Sequence, residues 1–239
     1  MFFSLYYELL GLLLLPGIIL GIWAQSRVTS NFNKYNQVQS NSGTPAHKLA
    51  RHLLDSAGLY DIQVRRCNGN LTDNFNPKTK TVNLSETVYD SSSVASLGVM
   101  AHEVGHVLQD KDNYWLLKLR LFLVPVINFS SFLIWPLVII GLIIEFTSTT
   151  PWGTALVAIG IGIFALSTLF SLITLPIELD ASKRAEKLLI DTGILNKEEG
   201  KGVKAVLKSA ALTYVAALIT SILSLLRFLL FIISIRRND

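Results

Sequence analysis

Charge is scarce in this sequence. Only 16% of its 239 residues are Asp, Glu, Lys or Arg, against about 25% in an ordinary soluble domain, and the mean hydropathy is +0.46. Cysteine is nearly absent: a lone Cys67 excludes an internal disulfide framework and fits a reducing compartment. Nothing near Cys67 suggests a thiol catalytic pair. There is no basic tract either. The net charge of +4 is spread over residues flanking apolar runs, which points to loops beside a membrane surface and away from nucleic acid as a partner. No internal repeat suggests a transporter. No Lys or Arg precedes the first apolar run, and WAQS after it is a poor cleavage site. That run therefore reads as a retained anchor, not a signal peptide.

What the sequence does have is length in its apolar runs. A bilayer crossing needs about 20 mostly apolar residues, and four stretches qualify. The first runs from Leu9 to Ala24, extended toward Phe2 by Leu5, Tyr6 and Tyr7. The second spans about Leu121 to Ile144, with Pro125 and Pro136 as kink points. The third spans about Trp152 to Leu175, and the fourth about Ala210 to Ile235, interrupted by Arg227. Arg227 reads as a snorkelling or internally paired side chain.

Basic residues orient these runs. Residues 24 to 121 hold 11 Lys and Arg and residues 177 to 208 hold seven, while the link EFTSTTPW holds none. The positive-inside rule puts both basic regions in the cytoplasm and the amino terminus outside. Four crossings leave Arg236 and Arg237 outside, a mild conflict that a re-entrant or interfacial fourth segment would remove.

The expected fold is mainly α. Residues 1–25 form a first transmembrane anchor, and 26–120 a cytoplasmic α+β region. Residues 121–176 form two transmembrane helices, 177–209 a cytoplasmic helical region, and 210–235 a fourth membrane segment. Within the polar block, residues 27 to 44 read as a Ser/Asn/Gln-rich linker. Thr44-Pro45 starts an amphipathic helix ending at Gly58. IQVRR and KTVNLS read as short strands around turns. KTVNLS is a candidate exposed edge that aligns a peptide by backbone hydrogen bonds, or simply closes a small sheet. His47 and His52 are five apart, a poor spacing for one metal, and read as surface or packing residues.

The run VMAHEVGHVLQ carries the chemistry. It lies on a helix expected to start near Ser91 to Ser93, so His102 and His106, four apart, share a face and can hold one metal ion. Glu103 sits beside them as a candidate general base for an attacking water. With four His and eight Glu in the chain, this five-residue pattern arises by chance about 0.002 times. Gly98, Ala101 and Gly105 are small enough for a neighbour to pack closely.

A catalytic zinc site takes three protein ligands. No histidine follows His106, and the long HExxHxxGxxH form is excluded by Gln109 and Asp112. An acidic ligand is needed. Glu178 and Asp180 in LPIELDASKRAEKLL follow the third apolar run but point in different directions on a helix. Asp110 and Asp112 would require the histidine helix to bend back. On geometry Glu178 is favoured, and the others stay open.

The run NFNPKTKTVNLSETVYDSSSVASLGVMAHEVGHVLQ, with LPIELDASKRAEKLL, resembles the YugP-like family of neutral zinc metallopeptidases of bacterial membranes. The likeness covers most of the chain, and the NLS, VY and LPIELDAS flanks are more specific than the zinc motif. It implies a multi-pass cell-membrane protein with one catalytic Zn²⁺, ligands His102, His106 and Glu178, and Glu103 as base. Asn74-Phe75 stands where the family commonly has His-Tyr, and Asn83 where it has Arg. Broader glutamate zincins often place an aspartate four residues after the ligand glutamate, where this chain has Ser182.

The expected activity is zinc-dependent peptide hydrolysis near the cytoplasmic membrane surface, acting on polypeptides or membrane proteins among membrane lipids. Asn74, Tyr89, Tyr114 and Arg184 are candidate donors to the tetrahedral oxyanion. Trp115, Lys118 and Arg120 suit the interface. A zinc-stabilised noncatalytic scaffold or chaperone is the main rival, and a small transporter a weaker one.

Overall fold

The computed structural model describes residues 10–147 and 151–236. The start of the first apolar run at Leu9, its extension toward Phe2, part of the EFTSTTPW link and Arg237 lie outside the described residues.

The chain is mainly helical, with seven helices and three strands among the described residues, counting from Leu15: α1 (Leu15–Asn36), α2 (Ala46–Ser56), β1 (Gln63–Cys67), β2 (Asn74–Asn76), β3 (Thr81–Ser85), α3 (Glu86–Tyr89), α4 (Val94–Lys111), α5 (Trp115–Thr147), α6 (Trp152–Asp191) and α7 (Lys197–Arg236). The chain divides into two compact units. One comprises Met1–Ile22, Lys118–Leu175 and Tyr214–Asp239, and the other Trp23–Leu117 and Pro176–Thr213.

The first unit is apolar. Three helices, Leu10–Asn36, Trp152–Asp191 and Lys197–Leu230, are long and apolar enough to cross a membrane, and a bent pair, Trp115–Ser130 and Phe132–Ile144, makes up to four. The 44° bend falls one turn before Pro136, which cannot donate a backbone hydrogen bond to the preceding turn and whose ring crowds it. Gly17 lies where Thr220 of α7 approaches: a Cβ there would sit 2.6 Å from the Thr220 hydroxyl. Ser224 and Arg227 are the polar lining of a cavity of about 350 Å³ walled by Leu14, Trp135, Phe164 and Phe228, among others.

The second unit has a hydrophobic core built from α2, β3, α3, α4 and the polar-flanked halves of α6 and α7. Leu54, Val82, Leu84, Leu97, Met100 and Leu189 are at its centre. The helix α2 ends as its sequence predicts. Gly58 takes φ +73°, and the amides of Gly58 and Leu59 donate to the carbonyls of Asp55 and Leu54, closing the last turn in a Schellman motif.

Three expectations are corrected. First, residues 27–36 are helix, not linker, because α1 runs to Asn36. No Gly or Pro interrupts residues 22–42, and Phe32 is buried in the core, so packing outweighs the modest helix propensity of Ser and Asn. Second, no break separates the third apolar run from the polar helical region after it: Pro176, at that boundary, lies inside α6, which continues to Asp191. Likewise α7 starts at Lys197, well before the apolar stretch, and is unbroken. Third, KTVNLS is not an exposed edge. The strand order is β1-β3-β2, with β3 parallel to β1 and antiparallel to β2. Both edges of β3 are paired, and Val82 and Leu84 are fully buried.

Candidate metal centre

Helix α4 is set by its own start. Ser93 is the N-cap, its hydroxyl accepting from the Ser96 amide at 3.1 Å, which satisfies one of the unpaired amides of the first turn. The Ser93 hydroxyl donates in turn to Asn36 Oδ1 at 2.7 Å. The end of α1, expected to be linker, thus anchors the helix that carries the histidines.

Glycine allows α6 to come close. A Cβ on Gly105 would lie 2.6 Å from the carbonyl oxygen of Ala181, inside any tolerable contact. Glu178, one turn before Ala181 and 2% exposed, is thereby brought against both histidines. Its Oε2 lies 3.2 Å from His102 Nε2 and 3.5 Å from His106 Nε2. The three donor atoms lie within 4.8 Å of one another, an arrangement able to hold a metal ion. Tetrahedral zinc with arms of about 2.0–2.1 Å has ligand-to-ligand edges of about 3.3–3.4 Å, which the two carboxylate-to-imidazole separations bracket. Two imidazoles and a carboxylate are also a zinc-type donor set. The residues fit the ion.

Electrostatics favour a cation in the same place. Burial works against the protonated form of His106, but its contact with Glu178 and the charge of Glu103 outweigh it and hold its pKa above the ordinary imidazole value. Glu103 is 7% exposed. Burial pushes its pKa up, the two histidines pull it down, and Asp73 and Glu178 add to the rise. A carboxyl with a raised pKa is suited to take and return a proton.

Both histidines have partners behind them. Ser182 Oγ lies 3.2 Å from His102 Nδ1. The position four residues after Glu178 therefore does face a histidine, with a neutral hydroxyl in place of the aspartate that broader glutamate zincins often carry there. Behind His106, Nδ1 lies 2.9 Å from Gln109 Oε1, and Gln109 Nε2 donates to Asp180 Oδ2 at 2.8 Å. Asp180 is not among the three clustered donors. It reaches His106 only through Gln109. Asp112 pairs with Arg184.

Other candidates are occupied elsewhere. His47 stacks on Tyr89 at 4.4 Å and bonds its carbonyl, and His52 is exposed. Arg184 is held by Asp112 and Asp180, which leaves it a poor oxyanion donor. Asn74 and Asn83, two of the departures from the family pattern, are cross-strand partners joined at 2.9 Å. Sequence reasoning missed Asp73, whose carboxylate accepts from both the amide and hydroxyl of Ser85 at 2.8 Å. No local pattern marks it, because its partner and Glu103 lie in other elements. Gln109 and Ser182 sit at helical spacing from His106 and Glu178, a signal that was available.

The family model described as "Putative neutral zinc metallopeptidase" matches residues 10–233. The chain is similar to the "Putative membrane protease YugP" of Bacillus subtilis (strain 168), 40% identical over 220 residues that cover 92% of this chain and 95% of the relative. No solved structure matches.

Proposed function

The chain belongs to this neutral zinc metallopeptidase family, and from that membership we propose that it is a membrane-embedded zinc metalloendopeptidase. The observation that carries the reading is the convergence of His102, His106 and Glu178 from two helices, with a buried Glu103 one residue from the first ligand.

His102, His106 and Glu178 would hold one ion. Zinc, when bound, supplies Lewis acidity toward the scissile carbonyl and toward water. Glu103 accepts the proton of the attacking water and passes it to the leaving amine. Glu103 is buried in α4, where low local polarity strengthens these charges.

Location follows from sequence order and charge. Glu178 comes three residues after the third apolar run, and the histidine helix is followed by Trp115, Lys118 and Arg120. The active site is thus assigned to the cytoplasmic membrane surface of a multi-pass protein, acting on polypeptides or membrane proteins that reach it.

Purified protein should hydrolyse an unfolded polypeptide, lose that activity to a chelator and regain it with zinc. Glu178→Ala protein should show neither zinc uptake nor turnover. Zinc content with no cleavage of any of a varied substrate set would instead support a metal-stabilised scaffold.

A further inference from the structure

Gln109 is fully buried, and the protein fixes which end of its amide faces which way. Nε2 donates to the Ile177 carbonyl and to Asp180 Oδ2, both at 2.8 Å. A peptide carbonyl and a carboxylate only accept, so the group facing them must be the NH₂. Oε1 is therefore the atom 2.9 Å from His106 Nδ1. An amide oxygen also only accepts, so the proton between them belongs to Nδ1. In the neutral ring that a metal ligand must be, Nε2 is then the nitrogen without a proton, and Nε2 is the atom facing Glu178.

The chain of contacts continues outward. Arg184 Nε donates to Asp180 Oδ2 at 2.7 Å, and Arg184 also pairs with Asp112. Asp112 is the C-cap of α4, while Asp180 and Arg184 are on α6. The path therefore closes between the two helices that bring the three donors together. His102 has no such lock, because the Ser182 hydroxyl behind it can either donate or accept.

We propose that Gln109, aimed by Asp180 and Arg184, is the positioning residue that holds His106 as its Nδ1–H tautomer and so presents Nε2 to the metal. The neutral amide orients the ring without adding a charge beside it, and the carboxylate stays one hydrogen bond further away. The inference rests on the zinc-peptidase reading.

The direct test uses zinc-loaded full-length protein with ¹⁵N-labelled histidine. With only four histidines, replacing His47 and His52 in turn identifies their long-range ¹H–¹⁵N correlations, and through-space contacts to Gln109 or to Ser182 tell His106 from His102. His106 should carry its proton on Nδ1 and its metal on Nε2. A proton on Nε2 overturns the relay, and this measurement needs no change at Gln109. A zinc-affinity cycle supplies a second readout. Gln109→Leu and Asp180→Leu should each weaken zinc binding about 10–100-fold, and the double variant should bind no more weakly than Gln109→Leu alone. Asp180→Asn, which keeps an acceptor, should stay within about threefold. Additive losses, or wild-type affinity in Gln109→Leu, contradict the proposal. Unaltered protein that takes up no zinc overturns the peptidase reading as well, whereas zinc uptake with the wrong tautomer overturns the relay alone.

Discussion

Asp73 illustrates what single residues do around this site. Half-buried and bonded to Ser85, its carboxyl has a pKa raised above the ordinary value, chiefly by burial, against the pull of the Ser85 hydrogen bonds. The folded state then binds more protons than the unfolded one between the unfolded value, about 3.9, and the higher folded value. Stability associated with Asp73 is present at low pH and is lost as pH rises through that window. Asp73→Asn retains partners for the Ser85 amide and hydroxyl and removes the buried charge. Its melting temperature should exceed that of wild type at pH 7, and the advantage should vanish by about pH 4. An advantage that grows toward acid pH would contradict the assignment. At this scale the sequence was partly readable. His102, Glu103 and His106 announce themselves because their chemistry lies in a five-residue spacing. Glu178 could be favoured over Asp180 by geometry within a short acidic stretch, and family resemblance strengthened that preference. Asp73 was invisible, since its role comes from contacts made across the fold.

Among the elements, the close approach of α4 and α6 is the most exacting requirement. Gly98 and Gly105 look alike in sequence, yet their neighbours differ. A Cβ at Gly98 would meet the Val203 side chain at 3.2 Å, whereas one at Gly105 would meet the Ala181 backbone at 2.6 Å. A side chain can turn aside and a helix backbone cannot. Gly98→Ala should therefore lie within about 1 kcal/mol of wild type, because better helix propensity offsets mild crowding. Gly105→Ala should cost roughly 1–3 kcal/mol from overpacking and weaken zinc binding, as denaturant titration and metal competition will report. Equal effects at both positions would argue against the close approach. Element boundaries were less legible than the motif. Hydropathy marks where apolar residues stop, but a helix continues wherever nothing breaks it and a face finds a partner. That is why α1 passes through Ser30, Asn31 and Asn33 to Asn36, and why Pro176 is carried within α6. The pairing of β3 on both sides was hidden for a related reason: alternation identifies a strand but not its neighbours.

For the whole molecule, three described helices and one bent pair are candidate crossings, and the basic counts flanking them are unequal. An unbroken α7 offers no turn at which the fourth segment could re-enter. Single cysteines at Lys78 and Lys197, in protein lacking Cys67, should be labelled from the cytoplasmic side and one at Trp152 from the other. Labelling of all three from one side would sink the four-crossing arrangement without touching the chemistry. The chemistry itself turns on separating metal binding from proton transfer, and one variant does that most directly. Glu103 faces the site but is not one of its three clustered donors. Glu103→Gln should retain about one zinc per chain while losing nearly all hydrolysis of an unfolded polypeptide, an effect of at least about 10²-fold. A zinc-loaded Glu103→Gln protein that still cleaves at the wild-type rate, free of contaminating proteases, would contradict the account.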